Sequence, residues 1–509
     1  MKVNRIIIIL GLFGLVMSGC KKSWLDINTN PNQLPTSTPD FVFTAAANRT
    51  AAILDPNEVG SYWGGQWTQS STYIISNTTF GYQFNNTNFN WWDTWYDVLQ
   101  DYQFVIDNAD AKEQSFMKGP ARVMKSFIMQ QVVDVYGNAP YTDALKGTGS
   151  LAPKFDDQKA IYEDLIKVLD TAINDLNSNT FTASGNSADI IFKGNTANWI
   201  RFANSLKLRI LIRQSMIPGK EAYIMAEINK AAATAEGFLT PGLDVTSNPG
   251  YLATDGKTNP FYDRWGYAAN GTIRALARYP RPTTFLFDVL KASNDTFRLK
   301  RMFYAAGGEN GSNPGVSTKP EVLSNYVAVP YGISSGYLSQ NTSYIGPSQI
   351  VKGQFNKPMV LMTAAESFFL LAEAKQRYDA GVTLPLTAQE YYEQGVKESF
   401  RLTGTASSAA TTLLTSGFDL ADWAASPDKL KAIWMQKWLA VVNYTGLEAW
   451  NEYRRTGYPD LPISASAATN QKPPVRLFYP QTESTSNGDN VKSQGEIDVF
   501  TSRIFWDID

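Results

Sequence analysis

The strongest constraint on the fold is an apolar residue pattern that repeats with the period of an α-helix along much of the chain. Apolar positions three or four residues apart form one stripe on a helix, with charged residues opposite. Such stripes occupy residues 118–136, 157–176, 199–210, 361–379 and 387–402. Residues 220–236 are Ala-rich, which also favours helix. We therefore predict a mainly α fold, with the first of these helices ending at Gly137.

Several of these helices have the features of degenerate repeats. Ala388, Tyr392 and Gly395 show the small, aromatic, small spacing of the second helix of a tetratricopeptide repeat. A further pair of helices is predicted to start with Ser426-Pro427 as cap and first turn, and to continue to a helix over 446–455. The 34-residue period of regular repeats is not visible. The scaffold is therefore predicted to consist of irregular tetratricopeptide-like helical pairs.

The middle of the chain lacks this regularity. Between about 237 and 358, Gly and Pro breakers are frequent and the one long amphipathic run is 283–306. Long irregular stretches inside compact proteins are usually functional. We predict a single domain over 41–509, with a loop-rich, ligand-binding insertion at about 237–358, C-terminal helix pairs at about 359–457 and an irregular end at 458–509.

The N-terminus indicates export and membrane attachment. Lys2 and Arg5 precede an apolar run over 6–16, which is typical of a signal peptide, here residues 1–19. Small residues precede Cys20, the only cysteine, which predicts lipidation at Cys20 and a lipid anchor. Residues 20–40, rich in Asn, Thr and Pro, form the predicted tether. No later stretch approaches 18 apolar residues, so the mature chain is predicted to be anchored to a membrane without crossing it.

Composition excludes several function classes. Lys plus Arg number 45 against 47 for Asp plus Glu, so no strong positive field exists to attract nucleic acid. The absence of His and the single Cys exclude disulfide frameworks, Cys/His zinc sites and His-dependent triads. No motif for a cofactor, metal or catalytic group is recognisable. Two alternatives to a binding protein stay open: a glycoside hydrolase that uses a carboxylate pair, and a scaffold whose aromatic clusters are buried.

Aromatic residues are abundant, with 13 Trp, 25 Tyr and 27 Phe, and segment 61–104 interleaves them with Asn and Gln. Flat aromatic faces and planar amides are the groups that sugar rings and their hydroxyls need. Trp92, Trp95 and Tyr96 have helical spacing and are predicted to lie in the core. Gly64-Gly65 and a Gly/Asn-rich loop favour exposure of the remaining candidates, so the predicted ligand contacts here are Trp63, Trp67, Tyr73 and Tyr82.

A second aromatic cluster lies in the irregular region. It contributes the predicted ligand contacts Trp265, Tyr267 and Tyr331, with packing of loops as the competing interpretation. Basic residues give a choice between ligand contacts and ordinary ion pairs. Arg274, Arg278 and Arg281 would suit an anionic ligand or a solvated or ion-paired face. A solvated or ion-paired helix face is predicted for Arg201, Lys207, Arg209 and Arg213.

The C-terminal part resembles a known family. Residues 433–440 (IWMQKWLA) and 448–459 (EAWNEYRRTGYP) closely resemble the C-terminal signature of the SusD/RagB-like outer-membrane nutrient-binding lipoproteins of Bacteroidetes. Three further segments fit in the same order, namely NTNPN at 28–32, YGNAPY at 136–141 and RLFYP at 476–480. The resemblance covers essentially the whole mature chain.

This resemblance implies a mostly helical fold with four irregular tetratricopeptide-like pairs and an inserted portion that carries the ligand site. It also implies a lid, lipid-anchored at the cell surface, that delivers oligosaccharides or peptides to a SusC-like TonB-dependent transporter and is not an enzyme. Arg454-Arg455 would pair with carboxylates of neighbouring helices. Lys21-Lys22 departs from the acidic residues that often follow the anchor, which leaves the membrane leaflet open.

Overall fold

Helices dominate the computed structural model, which describes residues 37–307, 317 and 319–508. The signal peptide, Cys20 and most of the tether lie outside the described residues. The first helices are α1 (Pro39–Ala52), α2 (Asp55–Trp63), α3 (Asn77–Phe80), α4 (Trp92–Asn108), α5 (Lys118–Tyr136), α6 (Gln158–Ser178), α7 (Ala183–Ala188), α8 (Thr196–Arg213) and α9 (Glu221–Ala232). The remaining ones are α10 (Pro260–Trp265), α11 (Thr284–Ala292), α12 (Thr296–Met302), α13 (Ala364–Tyr378), α14 (Ala388–Thr403), α15 (Ser407–Leu414), α16 (Lys429–Ala440), α17 (Gly446–Thr456), α18 (Gln481–Ser486) and α19 (Gly488–Lys492).

The mainly α prediction is confirmed, and most predicted helices appear close to their expected limits. α5 ends at Tyr136, and Gly137 follows with a φ of 77°, a conformation that favours glycine. Two boundaries were predicted wrongly. The segment expected as helix from 361 begins as a strand, and α13 starts only after Thr363, whose hydroxyl caps the Glu366 N–H. The cap of α16 is Asp428 rather than Ser426.

The long helices pack in a continuous succession. α1 packs against α4, α4 against α5, α5 against α6, α6 against α8, and α8 against α13, which contacts α14 and α16. The succession closes on itself, because α17 packs against α2 from the other end of the chain. Gly60 makes this approach close, since a Cβ atom there would lie 2.5 Å from the Leu447 Cα. Asn57 accepts a hydrogen bond from the Leu447 N–H at 3.2 Å.

Short antiparallel strand pairs fasten the irregular segments to this scaffold. β1 (Trp67–Gln69) pairs with β5 (Pro280–Pro282), β2 (Ala139–Pro140) with β3 (Phe155–Asp156), β4 (Val245–Ser247) with β8 (Met359–Met362), and β6 (Phe303–Tyr304) with β7 (Tyr344–Ile345). The β1–β5 pair joins the aromatic segment 61–104 to the irregular region that carries the second aromatic cluster. The region 237–358 is thus less irregular than expected, and its long amphipathic run is divided into α11 and α12.

A network of buried charges joins four of the packed helices. On α8, the Arg209 Nε lies 2.7 Å from the Glu366 Oε1 of α13. One turn later, the Arg213 Nη2 lies 2.5 Å from the Glu448 Oε2 of α17 and 3.6 Å from the Asp134 Oδ2 of α5. All five side chains are almost completely shielded from solvent. A buried charge that loses its partner is strongly unfavourable, so each pair requires its helices to stay in register.

The same network continues along α17. The Arg455 guanidinium donates to both oxygens of Glu373 on α13 at 2.7 Å each, and also contacts Glu452. The Lys437 Nζ of α16 lies 2.9 Å from a Glu452 oxygen. Arg454 differs, since it donates to the carbonyl oxygens of Asp134 and Val475. The structural role expected for these two arginines is therefore confirmed, and the carboxylate pairing holds for Arg455.

A solvated or ion-paired face was predicted for α8, and three of its four basic residues are ion-paired but buried. Lys207, Arg209 and Arg213 are each at most 2% exposed. Their partners lie on helices distant in sequence, and the Lys207 ammonium contacts Asp170 of α6. Within the described residues, no helix has both the length and the apolarity required to span a membrane.

The network predicts loss of stability in acid. Burial alone would raise the pKa of Glu448, but Arg213 and Arg209 outweigh burial and lower it from its usual value of 4.5 to about 2. A lowered native pKa stabilises the fold above about pH 4.5, and this contribution is lost as the pH falls toward the native pKa. In Glu448→Gln, we expect the free energy of unfolding to fall less steeply with acidification, by up to about 1.4 kcal/mol per pH unit.

Denaturant unfolding at pH 7, 5, 4 and 3 measures this slope. Glu163→Gln is the matched control, because it removes a half-exposed carboxylate of α6 that pairs only with Lys220. Equal slopes for Glu448→Gln and the wild-type protein would contradict the assignment.

Candidate ligand-binding groove

A surface groove lies beside the first turn of α2. It consists of two adjoining depressions of about 330 and 290 Å³, which share Asp55, Asn90, Trp91 and Arg264. Glu58 and Tyr279 line the first of them, and we call the whole feature the α2 groove. Each depression is close to the lower size limit of small-molecule sites.

An arginine ties one wall of the groove to the other. Arg264 of α10 lies 2.6 Å from the Asp55 Oδ1 and also pairs with Glu58, both on α2. Its guanidinium lies 5.2 Å above the centre of the Trp265 ring, which supports it from below. These ion pairs hold α10 against the start of α2 and fix the shape of the groove.

The two carboxylates of the groove have different environments. Burial raises the pKa of Glu58 above its usual value of 4.5, although Arg264 acts in the opposite direction. The Tyr62 hydroxyl donates to the Glu58 Oε1 at 3.2 Å. Asp55 is more open, with 58% of its side chain exposed. The groove therefore offers an open hydrogen-bond acceptor at its mouth and a shielded one deeper inside.

Two tyrosines whose rings are tilted by 40° form an aromatic wall, and one of them, Tyr279, lines the groove. The rings of Tyr73 and Tyr279 lie 5.8 Å apart, and both side chains are half-buried. The Tyr73 hydroxyl donates to the Ala275 carbonyl at 2.9 Å, which anchors the wall to the turn before β5. Leu276 and Ile74 lie on the same two segments and are 45% and 95% exposed. Of these two residues, Leu276 lines the groove and adds apolar surface to it.

At the opposite end of the groove, hydrogen bonds hold the side chain of Asn90 in place. Its side-chain amide donates to the Asp93 Oδ2 at 2.7 Å, and its Oδ1 accepts from the Asp93 N–H at the start of α4. This capping arrangement holds the planar amide in place. Within the described residues no group of three or more His, Cys, Asp or Glu side chains is arranged to hold a metal ion.

The exposure predicted for Trp63, Trp67 and Tyr82 is wrong, and Trp265 and Tyr331 follow the competing interpretation of packed loops. At most 5% of each is exposed, and they form the packed layer beneath the groove: Trp63, Trp67, Tyr82, Trp265 and Tyr331. Trp67 and Trp265 meet edge to face at 5.6 Å, and the hydroxyls of Tyr82 and Tyr331 lie 3.3 Å apart. These residues support the groove from below without lining its open surface.

The reason for this error is the role of Gly64-Gly65. These glycines do not form an exposed loop but allow close packing, since a Cβ atom on Gly64 would lie 2.8 Å from the Ala449 Cβ. Trp63 consequently packs at 5.0 Å against Trp450 of α17, and its indole donates to the Thr79 carbonyl.

The two remaining aromatic candidates are half-buried. Tyr73 packs against Tyr279 of the α2 groove but is not among the described residues that line it. Tyr267 packs 5.9 Å from Tyr262 and lies beneath the Lys352 ammonium, away from the residues that line the groove. A ligand contact by either residue stays a prediction.

Two of the three arginines proposed as a fork for an anion have other partners. Arg274 pairs with Asp263. Arg281 is completely buried and donates to Thr342 and to backbone carbonyls. Burial lowers its pKa to about 9.

Sequence reasoning missed four residues that line the groove, Asp55, Glu58, Asn90 and Tyr279. Asn90 had a usable signal, because Asn-Trp-Trp directly before a helical stripe is typical of a capped helix start.

A match to a protein-family model shows which family the chain belongs to. Residues 31–480 match the SusD-like model, which is described as starch-binding associating with outer membrane. The chain belongs to this SusD-like family. No curated protein matches the sequence.

Solved structures of SusD homologues share the fold. A SusD homologue from Bacteroides uniformis is 24% identical with a TM-score of 0.72, and covers 92% of this chain and 100% of its own. A chitin-binding SusD homologue from Flavobacterium johnsoniae is 23% identical with a TM-score of 0.74, covering 92% and 99%. A homologue from Bacteroides fragilis is 21% identical with a TM-score of 0.72, covering 93% and 99%.

The buried position of Trp63 gives a test of the site geometry. We expect Trp63→Ala to lower the free energy of unfolding by about 3 to 5 kcal/mol, because it removes a large side chain from a closed core. Denaturant melts provide the measurement. Trp423→Ala, at a partly exposed position beside Tyr392, is the control and should cost less. A loss for Trp63→Ala no larger than that of the control would contradict the packing described here.

Proposed function

We propose that this SusD-like protein binds a neutral oligosaccharide in the α2 groove and does not cleave it. The observation that carries the proposal is the combination, around one groove, of an aromatic wall with planar polar side chains. Sugar rings offer apolar C–H faces and paired hydroxyls, and Tyr279 and Asn90 supply the matching groups. The glycans in the descriptions of the family and of the chitin-binding homologue support this ligand class. An oligopeptide is the alternative ligand.

The polar groups of the groove retain free bonding capacity. Two of the five N–H groups of Arg264 serve Asp55 and Glu58, and each carboxylate has lone pairs to spare. Burial raises the pKa of Tyr279 to about 12, so its hydroxyl is protonated and can donate. Across the two depressions, the carboxylates of Asp55 and Glu58 are matched by the guanidinium groups of Arg49 and Arg264, so the formal charges of the lining balance. A lining without net charge supports a neutral ligand.

The arrangement favours binding over hydrolysis. A glycosidase needs one carboxyl group free to protonate the leaving oxygen and another free to act as base or nucleophile. Asp55 and Glu58 are instead both held by Arg264, in an ion pair that shapes the groove. Purified protein incubated with oligosaccharides should therefore release no new reducing ends, and release above background would favour the hydrolase.

We further propose that the protein acts from the outer membrane, anchored through lipid on Cys20, and passes its ligand to a SusC-like TonB-dependent transporter. A tether of about 20 residues spans on the order of 25 Å when flexible, which is enough for a lid to swing without leaving its partner. Family membership supports the membrane association. The transporter and the surface-exposed orientation are inferred from the resemblance described above.

The aromatic wall predicts the effect of Tyr279→Ala. Loss of one stacking surface and one hydroxyl should weaken binding about 2- to 13-fold, equivalent to about 0.5 to 1.5 kcal/mol. A glycan array identifies the ligand, and calorimetric titration gives the affinities. Tyr223→Ala, at a half-buried tyrosine on α9 outside the groove, is the matched control. Unchanged affinity in Tyr279→Ala would exclude the α2 groove as the binding site.

Anchoring predicts a separation of binding from uptake. Cys20→Ala should give a folded protein that binds oligosaccharide with wild-type affinity in solution but does not support growth on it. Growth curves and co-purification with the transporter in mild detergent measure the two properties. Wild-type growth with the unacylated protein would contradict the lid mechanism.

A further inference from the structure

A second pocket lies at the other end of the loop that carries Asn90. It has a volume of about 350 Å³ and is formed by the loop after Tyr82 together with the C-terminal segment. We call it the C-terminal pocket, and the residues used below are Asn85, Asn86, Phe478, Ser484, Val491 and Ile497. Sequence reasoning assigned no function to its C-terminal side.

The pocket combines an apolar surface with free amides. The half-buried Phe478 ring packs against Phe84 at 5.8 Å, and Val491 and Ile497 add aliphatic surface. The Asn86 side chain forms no hydrogen bond to any described residue. The Asn85 Oδ1 accepts hydrogen bonds from Thr87, whereas the Asn85 NH₂ group has no hydrogen-bond partner among the described residues. An aromatic face beside unused planar amides is the chemistry that recognises a sugar ring.

The charge of the pocket restricts the ligand further. None of the eight described residues that line it carries a charge. A charged ligand would lose its hydration there without gaining a partner of opposite charge. A neutral sugar loses less hydration free energy on entering the pocket, and the two asparagines offer it hydrogen-bond donors and acceptors. The pocket therefore suits the same ligand class as the α2 groove.

The loop between the two sites is held firmly. The Asn86 carbonyl accepts a hydrogen bond from the Gln481 N–H at 2.9 Å. At the other end of the loop, the Asn90 amide lies 3.4 Å from the Thr482 hydroxyl, which donates to Asp93. Residues 481–484 of α18 thus contact both ends of the loop, and Ser484 lines the pocket. Both sites are preorganised relative to each other.

The distance between the sites suits one ligand. Asn86 of the C-terminal pocket and Asn90 of the α2 groove are four residues apart, so their Cα atoms are at most ~14 Å from each other. A short oligosaccharide spans such a distance. Two weak contacts on one chain reinforce each other, because the second binds at a high effective concentration.

We propose that the C-terminal pocket is a second carbohydrate subsite, which holds a further sugar of a neutral oligosaccharide whose other part lies in the α2 groove. This inference rests on the proposed function. It predicts that affinity increases with the length of the oligosaccharide until both sites are filled, and that this gain depends on the C-terminal pocket.

The test uses two variants of the full-length mature protein. Ser484→Tyr fills the pocket, and Asn86→Ala removes an amide that has no structural hydrogen bond. Asn177→Ala, at an exposed position on α6 outside both sites, is the matched control. The probes are β-1,4-linked N-acetylglucosamine oligomers and maltooligosaccharides of two to six residues, titrated by calorimetry. Thermal unfolding verifies that each variant is folded.

We expect wild-type protein and Asn177→Ala to bind the longer oligomers of one series more tightly than the shortest. Both pocket variants should bind the shortest oligomer normally and lose about 2- to 13-fold in affinity for the hexamer. Wild-type affinity of Ser484→Tyr and Asn86→Ala for the hexamer would overturn the second subsite alone. Absence of wild-type binding to both series would overturn the proposed function, and the subsite with it.

Discussion

The scaffold depends on charges that are buried together. Arg209 and Arg213 of α8 reach carboxylates on α13 and α17, and Arg455 of α17 reaches back to α13. Apolar packing tolerates small shifts between helices, whereas a buried guanidinium requires its carboxylate at hydrogen-bond distance. The helices that share these pairs therefore have one favourable arrangement. This explains how irregular helical pairs, without a regular repeat to align them, form a defined structure.

The α2 groove is a consequence of this arrangement. α17 positions α2 on one side, and the pairing of β1 with β5 brings the segment around Tyr279 to the other. The groove lies where these segments meet, and Arg264 joins its walls. The aromatic layer below makes the floor rigid, so the few polar groups at the surface keep their positions without a ligand. Such preorganisation reduces the entropy lost on binding.

The sequence predicts local structure here better than it predicts the site. The apolar periodicity of α5, α6 and α14 was sufficient to predict these helices, because an amphipathic stripe is a property of neighbouring residues. The environment of Trp63 was not predictable in this way, since the residue that covers it, Trp450, is almost 390 positions away. The same holds for the burial of Arg209, because its ion-pair partner Glu366 lies on a helix that is distant in the sequence. A single sequence shows which groups are present but not which distant groups they meet.

The contact between α2 and α17 also has a consequence for the order of events during biosynthesis. The Asn57 side chain and the Leu447 N–H that it accepts from are 390 residues apart. At a synthesis rate of about 5 to 20 residues per second, on the order of 20 to 80 s elapse before the ribosome supplies the partner of α2. The N-terminal helices must wait through this interval with apolar surface uncovered. The contact between α2 and α17 is therefore among the last to form as the chain is made.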